Sequence, residues 1–408
     1  MEEWKEYSLS DIAKYSQGKQ IPIQLQYEEK NDSLIRFIRI VDYTSNWNQP
    51  PRYVLQDSKY HIKSDDIVMI RYGTPGKVFR GHEGLIANNM FKISVNEDII
   101  DKGYAFWYLS LEQVFKQLMS FQASTTMPAI SFGMLRNIIM KVPSKTTQRK
   151  IAKILDTIDD KIEVNRRIND NLEQQAQALF KSWFVDFEFP NEEGEPYKSS
   201  GGKMVESGLG LIPEGWRTGS IYKYVKVIYG APYKSTLFNE NKEGNPLIRI
   251  RDLKTFTPQY YTPELLPNTE FVCTGDVVAG MDAEFVPCLW LGETGVLNQR
   301  CCKFIGNKDT ISNYYVMFLL KPELEFVQSY KTGTTVSHLG KADIDRFTVI
   351  QPPMSLIARF SLIANGLLEN KKKLAKEIIV LSSLRDTLLP KLMSGELNVD
   401  DVSIDLVC

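Results

Sequence analysis

Histidine is scarce in this 408-residue chain, and its placement excludes most metal and acid–base chemistry. His61, His82 and His338 lie far apart, outside any His-Glu-x-x-His or comparable ligand spacing, and read as surface or turn residues. Cysteine is sparse too. Cys273, Cys288, Cys301, Cys302 and Cys408 are odd in number and form no Cys-x-x-Cys pair, the usage of free thiols in a reducing cytoplasm. No Gly-x-x-x-x-Gly-Lys-Ser/Thr loop is present, since Gly201-Gly202-Lys203 runs on into Met204. The Asn/Asp-Pro-Pro-aromatic string with which an amino-methyltransferase holds its target base is missing as well. Its nearest approaches, Gln49-Pro50-Pro51-Arg52 and Gln351-Pro352-Pro353-Met354, lack both the Asn/Asp and the aromatic. No apolar run approaches the ~18 residues of a membrane span, and Met1-Glu2-Glu3-Trp4 opens no secretory signal. Neither sign of charge dominates: 49 Lys and Arg against 50 Asp and Glu leave −1. That balance argues against a lone basic DNA-coating protein, though not against a DNA reader whose grip is shared with partners. Catalytic residues, metal ligands and a bound cofactor are therefore expected to be absent from this chain.

What the chain contains is an internal repeat of about half its length. Trp4, Ser8, Leu9 and Gly18 match Trp216, Ser220, Ile221 and Gly230 at an offset of 212. At 210, Ile38-Arg39-Ile40-Val41-Asp42 aligns with Ile248-Arg249-Ile250-Arg251-Asp252, Asp66 with Asp276, Asn88 with Asn298, and Tyr104–Leu109 with Tyr314–Leu319. Each copy ends in a long amphipathic stretch, Thr147–Phe187 and Leu356–Met393. Steps of 3 and 4 along the first pick out Gln148, Ile151, Leu155, Ile158, Ile162, Asn165, Asn169, Leu172, Ala176, Leu179 and Trp183. The same positions 209 residues on are Ile357, Phe360, Ala364, Leu367, Lys371, Leu374, Ile378, Leu381, Arg385, Leu388 and Leu392. Eight of eleven are apolar in the first and nine of eleven in the second, an a/d seam of about five heptads in each. Two equal seams in one register predict that the two helices pack on each other. The polar seam positions Asn165, Asn169, Lys371 and Arg385 are expected to fix register and orientation.

Within each globular half, short β-type runs (Leu34–Val41, Asp66–Tyr72, Leu247–Arg251, Asp276–Ala279) alternate with Gly/Pro/Asn turns. Helices are expected at Gly103–Phe121 and Ser312–Ser329, with Ser144 and Ser355 capping the two long helices and Gly395 stopping the second. A basic glycine-bearing loop, Arg71-Tyr72-Gly73-Thr74-Pro75-Gly76-Lys77, follows the strand ending near Ile70. Glycines allow close backbone approach, while Arg and Lys reach phosphates or guanine edges. The equivalent loop, Ala279-Gly280-Met281-Asp282-Ala283-Glu284, has no basic residue, so a second reader must use amides, hydroxyls or an acid such as Asp282 accepting from cytosine. Asn88 and Asn89, Thr125 and Thr126, Asn298, Gln299 and Arg300, and Thr334 and Thr335 are further candidates for base contact; the same residue types also cap turns.

Three strings carry a family resemblance: Leu179–Phe187 reads LFKSWFVDF, Gly202–Glu206 follows in the linker, and Leu211–Trp216 reads LIPEGW. With the Trp4, Leu9, Asp11–Ala13 opening, the whole chain resembles the specificity (S) subunit of type I restriction–modification enzymes. The resemblance implies an α+β fold: two mixed α/β target-recognition domains in tandem, each followed by a long helix, the helices pairing as an antiparallel coiled coil about a pseudo-two-fold axis. The boundaries read as recognition domain 1 at 1–143, helix 1 at 144–188, a linker at 189–210, recognition domain 2 at 211–352, helix 2 at 353–395 and a tail at 396–408. It further implies a bipartite, asymmetric site on double-stranded DNA, two methyltransferase subunits and motor–nuclease subunits as partners, no membrane association, and a cytoplasmic location. S-adenosylmethionine, ATP and Mg²⁺ are then expected in the partner subunits. Helix length is expected to act as a ruler for the gap between half-sites. The competing readings are a bipartite specificity subunit of another modification or defence assembly, a coiled-coil scaffold without DNA binding, and a free-standing DNA enzyme.

Overall fold

In the computed structural model the described residues are 4–44, 50–121, 129–331 and 338–402. They divide into two compact units, Met1–Lys161 with Leu381–Cys408, and Ile162–Val380, so the division cuts both long helices.

In the first unit, one four-stranded sheet runs in the order Ala13–Gln17, Met90–Val95, Ile67–Ile70, Val78–Phe79, all pairs antiparallel. A second runs Arg52–Leu55, Leu34–Ile38, Gly84–Ile86, His61–Ile62, with one parallel pairing, Phe37 opposite Leu85 and Ile38 opposite Ile86. The second unit repeats this plan: Val225–Tyr229, Cys301–Gly306, Val277–Gly280, Cys288–Leu289 in one sheet. Its other sheet runs Tyr260–Thr262, Asn245–Ile248, Gly295–Leu297, Phe271–Val272, again with one parallel pairing, Leu247 opposite Val296. Ile67–Ile70 and Val277–Gly280 are buried at every residue, which is why they read as unbroken apolar runs rather than alternations. The repeated aspartates hold the turns that lead into these sheets. Asp66 accepts from the Lys63 amide at 2.9 Å and from the ammonium of Lys92 at 2.6 Å; Asp276 accepts from the Cys273 amide at 2.8 Å and Lys303 at 3.4 Å. Asp42 and Asp252 likewise accept from the amides of Arg39 and Arg249, at 2.7 and 2.9 Å.

Several boundaries differ from the sequence expectation. The helix expected at 103–121 is two, Lys102–Leu109 and Glu112–Ser120, because the chain turns at Ser110, whose amide closes the first helix onto Phe106 and Trp107. Its counterpart, Asn313–Lys331, continues through Pro322. The strands expected to reach Val41 and Arg251 end at Ile38 and Ile248 and give way to helical turns at Ile40–Thr44 and Ile250–Leu253. The stretch read as linker contains a strand, Met204–Ser207, paired antiparallel with Gly210–Pro213.

The first long helix runs Lys145–Phe180 and widens into a π turn at Lys181–Val185. Ser144 caps it, its Oγ accepting from the Thr147 amide at 3.3 Å. The second runs Met354–Ser394, which places Ser355 inside its first turn rather than at the cap, and Gly395 follows with φ 76°. Pro390 leaves the second helix unbroken. In the first helix the seam residues Ile151, Leu155, Ile158, Ile162, Leu172 and Trp183 are buried and Leu179 is partly so. In the second, Phe360 and Leu381 are buried, while Leu367, Leu374, Ile378 and Leu388 are partly exposed and their neighbours Leu368, Ala375 and Leu389 are buried instead. The buried stripe is thus wider than a strict a/d seam, taking in these neighbours while Ala364, Lys371 and Leu392 stay buried in register. Within each unit the helices run antiparallel. In the first, Lys150 and Asp159 meet Asp400 and Arg385; in the second, Glu173 meets Lys371 and Trp183 meets Phe360. No described helix is long and apolar enough to cross a membrane.

Candidate nucleic-acid interface

In the first unit the basic loop and the Asn turn come together. The Arg71 amide donates to the Asn89 carbonyl at 2.8 Å, and the Arg71 carbonyl accepts from the Ile130 amide at 3.1 Å, which pins the loop at both faces. Gln17 connects the two: its Oε1 accepts from Arg71 Nη1, and its Nε2 donates to the Asn88 carbonyl at 2.7 Å. The guanidinium also lies 5.0 Å from the Tyr72 ring centroid and 5.8 Å from that of Phe132. Arg71 Nε and Asn89 Oδ1 are buried with no hydrogen-bond partner. Asn88 Nδ2 donates to Gln20 Oε1 at 3.3 Å. Tyr72, Thr74 and Lys77 are exposed on the loop, whose backbone passes through Gly73 and Gly76 with φ 95° and 88°.

The second unit builds the same posts from other side chains. The Met281 amide donates to the Arg300 carbonyl at 2.8 Å and the Met281 carbonyl accepts from the Leu339 amide at 2.7 Å, so Met281 stands where Arg71 does. Strand register corrects the sequence alignment here. Ile70 pairs with Met90, whereas Gly280 pairs with Cys301, one residue further along than the offset of 210. The Ala87 amide donates to Ile38 and the Asn298 amide to Ile248. Asn298 therefore occupies the post of Ala87, not of Asn88, while Gln299 and Arg300 take the posts of Asn88 and Asn89. A close backbone approach sets both turns in place. A Cβ on Gly18 would lie 2.2 Å from the Ala87 carbonyl oxygen, and one on Gly230 would lie 2.1 Å from that of Asn298. Asn298 is itself buried and spends its Oδ1 on the Arg300 amide at 3.2 Å, a capping bond within the turn.

Asp282 stands at the post of Tyr72: Tyr72 bridges to Ala129, and Asp282 bridges to His338. The Asp282 carboxylate accepts from His338 Nδ1 at 2.7 Å through Oδ1 and forms an ion pair with Arg300, Oδ2 lying 3.2 Å from Nη1. Thr125, Thr126, Thr334 and Thr335 lie outside the described residues. Among the described residues, no group of three or more His, Cys, Asp or Glu is arranged to hold a metal.

Sequence reasoning missed Gln17 and Gly18 as parts of this site, and missed His338 as a partner of Asp282. The Gly18/Gly230 match was a signal for the first two; the His338 contact joins residues 56 apart and has no local signature.

The comparisons agree with one another. The family model described as the type I restriction modification DNA specificity domain matches residues 1–174 and again 213–377. The specificity subunit of the type I restriction enzyme MjaIX from Methanocaldococcus jannaschii is 28% identical over 338 residues, covering 78% of this chain and 74% of the relative. The HindI specificity subunit from Haemophilus influenzae is 23% identical over 475 residues, covering 97% of this chain and all (100%) of the relative. A solved S subunit of a type I restriction–modification system from M. genitalium shares the fold, with a TM-score of 0.53 at 14% identity over 96% of each chain. With both halves matched by the one model, this chain belongs to the type I restriction–modification DNA specificity family.

Proposed function

We propose that this chain is the DNA-recognition subunit of a type I restriction–modification assembly. Each unit reads one half of a bipartite duplex site, and the halves differ because the side chains at equivalent posts differ. The observation that carries this reading is the recurrence of the same backbone hydrogen bonds and bridges in both units with unlike occupants: Arg71, Tyr72, Asn88 and Asn89 in one, Met281, Asp282, Gln299 and Arg300 in the other. A reader of a palindrome has no use for that divergence, whereas a reader of an asymmetric site requires it.

Base chemistry belongs to the partners in this reading. Two methyltransferase subunits dock on the chain, bind S-adenosylmethionine and flip out the target base, and motor–nuclease subunits bind ATP and Mg²⁺. The chain itself orients and selects. Methylome sequencing of cells carrying this chain with its methyltransferase subunits is the direct test. The expected result is one motif of two different half-sites separated by a constant gap. A palindromic motif, a single contiguous motif or none at all overturns the proposal.

A further inference from the structure

Asp282 offers the obvious acid for accepting a cytosine amino group, but both of its oxygens are already committed inside the unit. Oδ1 accepts from His338 Nδ1 at 2.7 Å, and Oδ2 is ion-paired with Arg300 Nη1 at 3.2 Å. The exposures follow the same division: the Asp282 side chain is 24% exposed, that of Arg300 57% and that of His338 48%. The acid lies inside and its two partners outside. His338 is fixed in turn by the backbone bridge to Asp282 and by Lys331, whose Nζ donates to the His338 carbonyl at 2.7 Å.

We propose that Asp282 is a positioning residue and that Arg300, held by it, selects a guanine in the half-site read by the second unit. A guanidinium with one Nη tied to a carboxylate keeps its remaining N–H donors in a fixed plane, the geometry that the O6 and N7 acceptors of guanine require in the major groove. A phosphate presents acceptors too, but two features favour the base edge. A carboxylate fixed beside the guanidinium weakens its attraction for a phosphate while sharpening its direction. The surrounding segment Asn245–Lys303, with five Lys and Arg against seven Asp and Glu, is net acidic and unsuited to backbone binding. In the first unit the fixed cation is Arg71, held by Gln17, so the cation has moved from the loop to the turn and its holder has changed from an amide to an acid.

This inference rests on the proposed recognition function, and the test separates the two. The full chain, assembled with its methyltransferase subunits, is bound to a randomised duplex library, with Arg300→Lys, Arg300→Gln, Asp282→Asn and Asp282→Glu compared against the parent. Arg300→Lys keeps the charge but loses the planar fork. It is expected to lower the preference for guanine at one position of one half-site by roughly 10- to 100-fold, with Arg300→Gln behaving alike. Asp282→Asn is expected to lower the same preference by a smaller factor, and Asp282→Glu to recover part of it. Preference at the other half-site stays at the parental level and reports intact assembly. Uniform weakening over all sequences with a shallower salt dependence marks a phosphate contact and overturns the proposal, as does an unchanged preference in Arg300→Lys and Arg300→Gln. A parent complex without any half-site preference overturns the recognition function itself.

Discussion

Lys371 Nζ lies 2.5 Å from Glu173 Oε2 within the second unit, and it also donates to the Asn169 carbonyl at 3.2 Å. The lysine side chain is 4% exposed, whereas that of Glu173 keeps 40% of its surface. A buried ammonium whose carboxylate is removed stays desolvated and uncompensated. Glu173→Ala is therefore expected to destabilise the chain by about 2 kcal/mol, less than the ~3–5 kcal/mol of a fully buried pair because water reaches the glutamate. Adding Lys371→Leu to that variant is expected to restore stability to within ~1 kcal/mol of the parent, since an apolar side chain suits the seam. Urea unfolding of the single and double variants checks the order, and a double variant no more stable than Glu173→Ala contradicts it.

Gln17 positions Arg71 without carrying any charge of its own. Gln17→Leu and Arg71→Gln are both expected to lower one base preference in the half-site read by the first unit, Arg71→Gln by roughly 10- to 100-fold. The preferences of the other half-site are expected to hold. Library selection with the assembled complex measures both; even losses at all sequences in Gln17→Leu contradict a positioning role.

Gly18 and Gly230 each press against a backbone carbonyl that no side-chain rotamer can relieve. Gly18→Ala and Gly230→Ala are each expected to cost about 1–3 kcal/mol through displacement of the neighbouring turn. Their functional effects are expected to separate, each variant degrading a different half-site. Thermal unfolding together with half-site selection reads both consequences, and an effect of either substitution on both half-sites argues against independent readers.

Burial pushes the Asp66 carboxyl upward, yet hydrogen bonds from Lys102 and Lys92 more than offset this and hold it below the usual carboxylate range. A depressed carboxylate adds stability above its unfolded pKa and loses it as pH falls through the folded value. Asp66→Asn is accordingly expected to destabilise the chain at neutral pH by about 2 kcal/mol, with the gap to the parent closing as pH drops below the carboxylate range. Denaturant midpoints measured from pH 7 downward supply the comparison, and a gap independent of pH contradicts the assignment.

Cys302 is fully buried and burial pushes its thiol up to about 12; the thiol of Cys301 beside it is raised too. Neither is available as a thiolate at neutral pH. An alkylating reagent at pH 8 is expected to label exposed Cys273 while sparing Cys301 and Cys302 until the chain unfolds, which peptide mass mapping resolves. Labelling of Cys301 or Cys302 in the folded chain contradicts this.

Much of this architecture is written in the chain as periodicity. The a/d seams foretold two long helices because apolar side chains recur where a helix needs them, and the paired Asp66/Asp276 and Asp42/Asp252 mark turns that each unit closes identically. The misalignment of Asn88 with Asn298 shows where such reading stops. Identical asparagines drew the alignment to 210, but the backbone bonds of Ala87 and Asn298 decide equivalence, and a change of loop length between the strands leaves no mark on side-chain identity. The role of Asp282 was hidden for a related reason. Composition shows an acid in a loop; only the fold shows that its oxygens are spent on His338 and Arg300.

The turn at Ala87–Asn89 and its counterpart at Asn298–Arg300 are anchored chiefly by main-chain bonds, to which Gln17 and Gln20 add side-chain bonds in the first and Asn298 and Asp282 side-chain ties in the second. Main-chain anchors are indifferent to sequence. New recognition chemistry then needs only a few substitutions on an unchanged peptide framework, so a lineage of such chains can drift from one DNA address to another by small steps. At each step the hydrogen-bonded framework can stay as it is while only the side chains presented on it change.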